Sequence, residues 1–489
     1  MSAIWASLVT YWPVHLLLAL YTGVLVYHAW RGSRETHGLA DYYVGGRSMG
    51  GVTLGLSFFA TYSSTNSFVG FAGQSYEWGI AWLLLAPLTV IMSALAWRCV
   101  APRVRIFTEE LGSLTIPDFI GFRFASTPAR VSAAVIVLFA SFFYMIAVFK
   151  GIGTLVQAFL EIPYEGAIAV VFVIVVAYTM VGGFISVVKT DAVQGVVMIF
   201  AAVLLFTGTV RAAGGLGALA EVRASIETAH LFSWNGPLPF IYVLGVLVAG
   251  TAKFVTDPRQ LSRFYALKSV EAVRAGFWTS TLAFALVYSL LVPIGLYARR
   301  IYPSGIDDTD QVVPLLLTGG DVFSPGVTAF LLLAMVAAAM SSLDSVLLVM
   351  ASTAERDIAG LLGGSGAELR KTRLWVALFA LIAALIALRP PGGIVTLTVL
   401  SGAVFAACFA PSVLLGLYWR RGTGVAVLAS FAGGLVTLLL WPRLPIAATV
   451  HQVFPAVFLS TVLYVLTAIR APVVESPSLD RLFSSAGKD

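Results

Sequence analysis

The sequence contains little charge, little cysteine and no clustered histidine. Only 11% of its 489 residues are Asp, Glu, Lys or Arg, whereas 59% are hydrophobic, and soluble domains carry roughly 25% charged residues. Cys99 and Cys408 each lie in or beside an apolar segment and offer no disulfide framework. The five histidines lack the spacing of metal ligands. This composition excludes a water-soluble protein and predicts an all-α integral membrane protein.

Long apolar runs take up most of the chain. About thirteen of them reach the roughly 18 residues that a helix needs to cross a ~30 Å hydrocarbon layer. Residues 1–470 are therefore predicted to form one transmembrane domain, followed by a disordered tail over 471–489. If the N-terminus is external and the chain crosses thirteen times, most of the Lys and Arg residues lie in the internal loops. An external N-terminus and a cytoplasmic C-terminus are expected from that bias.

Two runs contain residues that weaken a helix. In GVTLGLSFFATYSSTNSFVGFAG the centre, from Ala60 to Gly70, is crowded with hydroxyl and amide side chains that compete for backbone hydrogen bonds. The seventh run, FIYVLGVLVAGTAKFVTDP, is short and ends at Asp257-Pro258. The two runs open the halves of a five-plus-five inverted repeat, predicted over 50–211 and 238–417, in which broken helices mark the binding site. Close helix packing by small residues is the alternative.

The stretch AAAMSSLDSVLLVM places polar side chains inside another apolar run. Ser341 has Asp344 and Ser345 at i+3 and i+4, and Ala338 lies one turn back. A single serine there would simply bond its own helix, but four polar residues in five positions indicate a site. Carbonyl and hydroxyl oxygens are the ligands that a hard alkali cation requires.

Three further ionisable residues lie in apolar runs. Asp191, near the start of the sixth run, either binds a cation or caps a helix start. Lys150 lies well inside its run, so it needs an acidic partner or an anionic ligand, and both readings stay open. Lys253 lies nearer the cytoplasmic end, where snorkelling to water is available to its side chain.

Four segments carry a family resemblance. ATYSSTNSFVGFAG, KTDAVQ, DPRQLSRFYALKS and MSSLDS, in this order and spacing, resemble the sodium/solute symporter family. Its members carry sugars, proline, sialic acid, pantothenate, biotin and monocarboxylates. The resemblance implies the leucine-transporter fold with one extra N-terminal and two extra C-terminal helices, and alternating access.

The resemblance also implies ligands. It places a sodium ion on the carbonyls of Ala60, Ser63 and Ala338 and the hydroxyls of Ser341 and Ser342. A second cation, or a proton, falls on Asp191, Asp344 and Ser345, where Asp344 replaces a plain hydroxyl; whether one or two ions move stays open. The substrate cavity implied by the resemblance includes Asn66, Ser67, Lys150 and Phe254.

The sequence therefore predicts a symporter rather than an enzyme. Sodium, its only expected metal, would drive import of a small organic solute across a plasma membrane. If Lys150 binds that solute, the solute carries a carboxylate, as an amino acid or a monocarboxylate does. A monomer without a nucleic-acid partner is expected, because the basic residues are spread singly despite the pI of about 9.3. A proton-coupled symporter and a solute sensor are the alternatives.

Overall fold

Helices make up the architecture of the chain. The computed structural model describes residues 12–160, 162–319, 322–363, 367–471 and 482–484. The main helices are α1 (Trp12–Glu35), α2 (Gly51–Tyr62), α3 (Phe71–Trp78), α4 (Leu85–Leu95), α5 (Ala101–Glu110), α6 (Ile116–Arg123), α7 (Thr127–Leu160), α8 (Tyr164–Ala212), α9 (Phe240–Thr251), α10 (Pro258–Tyr265), α11 (Ala272–Leu291), α12 (Ile294–Ile301), α13 (Pro325–Thr353), α14 (Leu369–Ala387), α15 (Ile394–Phe409), α16 (Gly424–Leu440) and α17 (Val453–Arg470).

Shorter helical segments connect these helices. α-Helical turns span Leu39–Val44, Ala218–Ala224, Lys253–Thr256, Val312–Thr318, Gly360–Leu362 and Gly416–Tyr418. The 3-10 turns are Gly45–Arg47, Gly79–Leu84, Ala229–Phe232, Thr309–Gln311, Trp441–Arg443 and Pro445–Ala448, and π-helical turns span Asn66–Gly70, Ala96–Val100, Ala354–Ala359 and Ala410–Leu415. The described residues contain one isolated β-bridge, between Met49 and Leu267, and no strand. The predicted all-α class is confirmed.

Nine helical stretches of the described chain are long and apolar enough to cross a membrane. One of them, α8, is divided at Gly183, where φ is +62° and only glycine is comfortable. It therefore supplies two of the predicted spans. Together with α1, α2 and α14, these stretches correspond to the thirteen runs of the sequence.

Both predicted interruptions are present. α2 ends at Tyr62, Ser63 is extended, and the chain resumes as a π-helical turn at Asn66. The seventh run is broken into α9, the turn Lys253–Thr256 and α10, because Asp257 is extended and caps α10 with its own carboxylate. These breaks lie where side chains compete for backbone bonds and where proline cannot continue a helix.

α13 lies at the centre of the bundle. Its polar run, from Ser341 to Ser345, is fully enclosed. α1, α2, α7, α8 and α14 surround it. The helix is therefore covered by protein rather than by lipid, and its polar residues meet other polar groups.

Most of the predicted disordered tail, and residues 1–11, lie outside the described residues. Residues 482–484 of the tail are helical, and the ring of Phe483 packs at 5.3 Å from that of Phe107. The orientation of the termini and the bounds of the two repeats stay predictions.

Candidate functional site

α2 and α13 meet where α2 stops. A helix end leaves carbonyl oxygens without amide partners. Just after the end of α2, the N–H of Ser64 donates to the hydroxyl of Ser67 at 3.4 Å rather than to a helix carbonyl. The hydroxyl of Ser342, on α13, donates to the carbonyl of Thr61 at 3.3 Å. The hydroxyls of Thr61 and Ser345 lie 3.4 Å apart. The broken end of α2 therefore faces the serines of α13 through oxygen atoms.

The residues predicted to bind sodium belong to these two segments. Ala60 and Ser63 flank the end of α2, and Ala338, Ser341 and Ser342 lie on α13. All of them are fully buried. Uncharged carbonyl and hydroxyl oxygens suit a hard monovalent cation. The structure brings the two halves of the predicted site together, and the ligand roles stay a prediction.

Asp191 lies inside α8 and is completely buried. One of its carboxylate oxygens accepts from Ser341 at 2.6 Å. The other accepts from Ser57 at 2.6 Å, from Thr61 at 3.2 Å and from the guanidinium of Arg263 at 2.8 Å. α8 breaks two turns before Asp191, so the aspartate does not cap a helix start. It joins α2, α8, α10 and α13 instead.

The cation beside Asp191 belongs to the chain itself. Nη2 of Arg263 also donates to Ser345 at 2.6 Å, and Nη1 donates to the carbonyl of Arg259 at 3.0 Å. Both side chains of the Arg263–Asp191 ion pair are buried. A guanidinium therefore bridges Asp191 and Ser345, two of the three residues to which the resemblance assigned a second cation.

Asp344 has a different partner. One of its oxygens accepts from Thr179 of α8 at 3.0 Å, and the other has no hydrogen-bond partner among the described residues. The side chain is nevertheless fully buried. The structure therefore does not join Asp344 to the cluster around Asp191 and Ser345.

Lys150, on α7, has an acidic partner. Its Nζ lies 2.7 Å from Oδ2 of Asp310, and that oxygen also accepts from the N–H of Ile394, at the start of α15, at 3.2 Å. Both side chains are largely enclosed, with exposed fractions of 17% and 7%. Of the two roles that the sequence left open for Lys150, the structure shows the ion pair.

An enclosed cavity of about 20 Å³ lies between α2, α4, α7, α9 and α15. Its polar lining includes Tyr62, Asn66, Tyr144, Lys253 and Arg259. A volume of this size holds about one water molecule. A larger occupant would therefore require the surrounding helices to move apart.

Lys253 faces this cavity without an ion-pair partner among the described residues. Its Nζ donates to the carbonyl of Thr398 at 2.5 Å and lies 5.1 Å from the ring centre of Tyr144. The guanidinium of Arg259 lies 3.5 Å from the same ring, and both oxygens of Asp257 are bonded to Arg259. The snorkelling available to Lys253 is not seen, because the residue is only 4% exposed.

The other predicted substrate residues have mixed surroundings. Asn66 lines the cavity, and its Oδ1 has no hydrogen-bond partner within the described chain. Phe254 stacks on Tyr62 with ring centres 4.2 Å apart, so it supports the cavity wall. The Ser67 hydroxyl is 2.8 Å from that of Tyr288. Asn66 is the residue of this set that lines the cavity.

Comparison with known proteins decides the family. The model of the sodium:solute symporter family matches residues 42–434. The proline transporter PutP of Bacillus subtilis is 31% identical over 460 residues, covering 90% of this chain and 94% of the relative. The sodium/pantothenate symporter of Haemophilus influenzae is 30% identical over 431 residues, covering 86% and 87%.

This chain belongs to the sodium:solute symporter family. A solved Na+-coupled sialic acid symporter superposes with a TM-score of 0.79 at 18% identity, covering 95% of this chain and 99% of that one. That likeness, together with a TM-score of 0.59 to Mhp1, establishes the predicted leucine-transporter-type fold. The family and these relatives are transporters rather than enzymes, so the symporter is a multi-pass membrane transporter of small solutes.

Sequence reasoning missed two buried cations of this symporter. Arg259 and Arg263, which follow the seventh apolar run in the sequence, are both only 1% exposed. A signal was present: they stand at i and i+4 on one face of a segment that starts with Pro258, a favourable first helical residue. Lys253, four residues before Asp257, carried no comparable signal.

Proposed function

We propose that this protein is a secondary active symporter that couples the entry of sodium to the uptake of a small organic solute by alternating access. The observation that carries the proposal is the hydrogen bond from Ser342 to the carbonyl of Thr61, between α13 and the broken end of α2. It aligns uncharged oxygens from two helices around one enclosed point. Membership of the sodium:solute symporter family supports sodium as the ion.

A sodium ion at this point links the two helices. Bound to the carbonyls of Ala60, Ser63 and Ala338 and the hydroxyls of Ser341 and Ser342, it stabilises the arrangement of α2 against α13. The π-helical turn that follows the break of α2 carries Asn66, which lines the cavity. Ion and solute therefore favour the same conformation and raise each other's affinity, by a coupling of about 1–3 kcal/mol.

One sodium ion per cycle is the proposed stoichiometry. The guanidinium of Arg263 already supplies a positive charge to Asp191 and bonds Ser345. A second sodium beside Asp191 would have to displace a buried ion pair, and breaking such a pair costs about 3–5 kcal/mol. Arg263 therefore takes the place of the second metal ion.

The solute is proposed to carry a carboxylate. Lys253 and Arg259 contribute two positive charges to the cavity wall, and Asp257 compensates one of them. An anionic solute supplies the missing charge. The protein acts as a monomer in the plasma membrane, with its N-terminus outside and its C-terminus in the cytoplasm.

Thermal unfolding of the purified protein in sodium and in potassium salts, at equal ionic strength, tests the proposal. A bound ion stabilises by RT ln(1 + [L]/Kd), about 2.7 kcal/mol at a hundredfold excess over Kd. Wild type is expected to melt higher in sodium, and Ser342→Ala to lose most of this difference. Ser430→Ala is the matched control, because its hydroxyl bonds the carbonyl of Val427 in its own helix.

Uptake into proteoliposomes separates the alternatives. Sodium-driven symport predicts accumulation under a sodium gradient at constant pH and none under a pH gradient without sodium. The reverse pattern would replace the proposal with proton coupling. Binding without accumulation under either gradient would favour a sensor.

A further inference from the structure

Among the described residues, Lys253 differs from the other enclosed cations of the site in having no carboxylate partner. Arg259 is bonded to Asp257, and Arg263 to Asp191. Each of those arginines is charge-compensated within the protein. Lys253 has a backbone carbonyl and an aromatic ring as its described partners. An ammonium held there inside the bilayer is costly unless an anion comes to it.

The donors around Lys253 are incompletely used. An ammonium carries three N–H groups, and one of those on Lys253 is bonded, to Thr398. Nη1 of Arg259 also has no hydrogen-bond partner within the described chain. Both residues line the same cavity. Spare donors on two neighbouring cations match the two oxygens of a carboxylate.

The lining also limits what else the solute carries. None of the described lining residues is an aspartate or a glutamate. Asp257, the acidic residue next to Arg259, has both of its oxygens on that arginine. A second ammonium brought into the cavity would meet two cations and, within the described lining, no free carboxylate, so it would be repelled.

Aromatic and neutral polar groups form the rest of the wall. Tyr62 donates its hydroxyl to the carbonyl of Gly250 at 3.1 Å, and Asn66 presents an amide oxygen that no described residue bonds. Trp82 presents an indole N–H that has no partner among the described residues. Such a wall accommodates hydroxyl, amide or apolar groups at the other end of the solute.

We propose that Lys253 is the anchor for the carboxylate of the transported solute, and that the solute is an organic monocarboxylate without an ammonium group. This proposal rests on the proposed symport function and adds its substrate class. Lys150, for which the sequence left both an anionic ligand and an acidic partner open, is neutralised by Asp310 and stays structural.

Thermal unfolding of the full chain tests the anchor with defined probes. The probes are propionate and pantothenate as monocarboxylates, propionamide as a neutral match, and proline as a zwitterion, each in sodium and in potassium salts. We expect at least one monocarboxylate to raise the melting temperature of the wild type, with propionamide and proline producing no comparable rise. Lys253→Met is expected to weaken the apparent affinity for that probe at least tenfold, and Lys253→Arg to retain part of it.

Two controls keep this result distinct from the symport proposal. Lys268→Met removes an exposed lysine by the same substitution and is expected to respond to the probe as the wild type does. Lys253→Met is expected to keep the sodium-dependent shift, which shows that it folds and retains the ion site. A wild type without a sodium-dependent shift would instead contradict the symport proposal. The measurements with the probes in potassium salts would still test whether Lys253 binds the carboxylate.

Three results would overturn the proposal. The first is a Lys253→Met protein that binds the monocarboxylate as tightly as the wild type. The second is a wild type that proline stabilises more than either monocarboxylate. The third is a wild type that responds to neither monocarboxylate while its sodium shift is intact.

Discussion

Lys150 and Lys253 both lie in apolar helical segments of this protein, and their surroundings differ. Lys150, on α7, is paired with Asp310 at 2.7 Å, and Asp310 in turn holds the start of α15. Lys253, at the break between α9 and α10, touches a carbonyl and a tyrosine ring and faces a cavity. The Lys150–Asp310 pair links helices to each other, whereas the charge of Lys253 has no described ion-pair partner.

This difference separates charges that are paired within the fold from charges that have no described ion-pair partner. A buried ion pair broken on one side leaves an uncompensated charge, so its loss destabilises the fold. A buried charge that has no partner already bears that cost, so its removal relieves the fold and impairs binding. The two kinds of site therefore respond to substitution with opposite signs.

The largest effect is expected at the most enclosed pair, Arg263–Asp191. Arg263→Gln leaves Asp191 buried without a cation and should destabilise the protein by about 3–5 kcal/mol. Sodium should then compensate, so the stabilisation by sodium exceeds that of the wild type and its dependence on concentration becomes cooperative. Thermal unfolding across a sodium titration measures both.

Arg300→Gln is the control for this change, because Arg300 pairs with Glu221 at the exposed surface and should alter neither stability nor the sodium response. An Arg263→Gln protein with wild-type stability and a non-cooperative sodium response would show that the guanidinium does not occupy a cation position.

The next effect concerns the structural lysine. Lys150→Met should destabilise the protein by about 3 kcal/mol, because Asp310 keeps its charge in a largely enclosed place. The double variant Lys150→Met with Asp310→Asn should recover much of this loss, since neither charge then remains. Thermal unfolding without solute gives both values. Equal losses in the single and double variants would mean that the lysine acts through packing.

A smaller loss of stability is expected at Gly402, where the packing of α15 against α9 positions Lys253. A Cβ on Gly402, in α15, would come within 2.2 Å of the carbonyl of Ala249 and 2.7 Å of Cε of Lys253. Gly402→Ala should therefore push α15 from α9, destabilise the protein by about 1–3 kcal/mol and weaken solute binding.

Gly23→Ala provides the matched control for that substitution, because nothing lies within 4 Å of the added carbon. It should be neutral or slightly stabilising, since alanine is the better helix former. If the unfolding temperatures of Gly402→Ala and Gly23→Ala fell equally, close packing at Gly402 would not be the cause of the destabilisation.

The fold and the two helix breaks were largely predictable from the sequence, and the electrostatic partners were not. Hydrophobic run length fixes the spans, and crowded hydroxyl residues between Ala60 and Gly70 weaken a helix wherever they occur. Which carboxylate meets which cation depends on helices far apart in the chain: Lys150 and Asp310 are 160 residues apart, and Asp191 and Arg263 are 72 apart. Local spacing carries no information on such contacts.

The smallest effect on stability, and the sharpest contrast, is expected at Lys253. Lys253→Met keeps a long flexible side chain along α15 and removes a charge that has no described ion-pair partner, so stability without solute should stay constant or rise by about 1 kcal/mol. Lys150→Met, measured in the same way, should fall. If Lys253→Met lost as much stability as Lys150→Met, the lysine would have an anionic partner in the folded protein. Both lysines would then be structural, and the contrast between Lys150 and Lys253 would be lost.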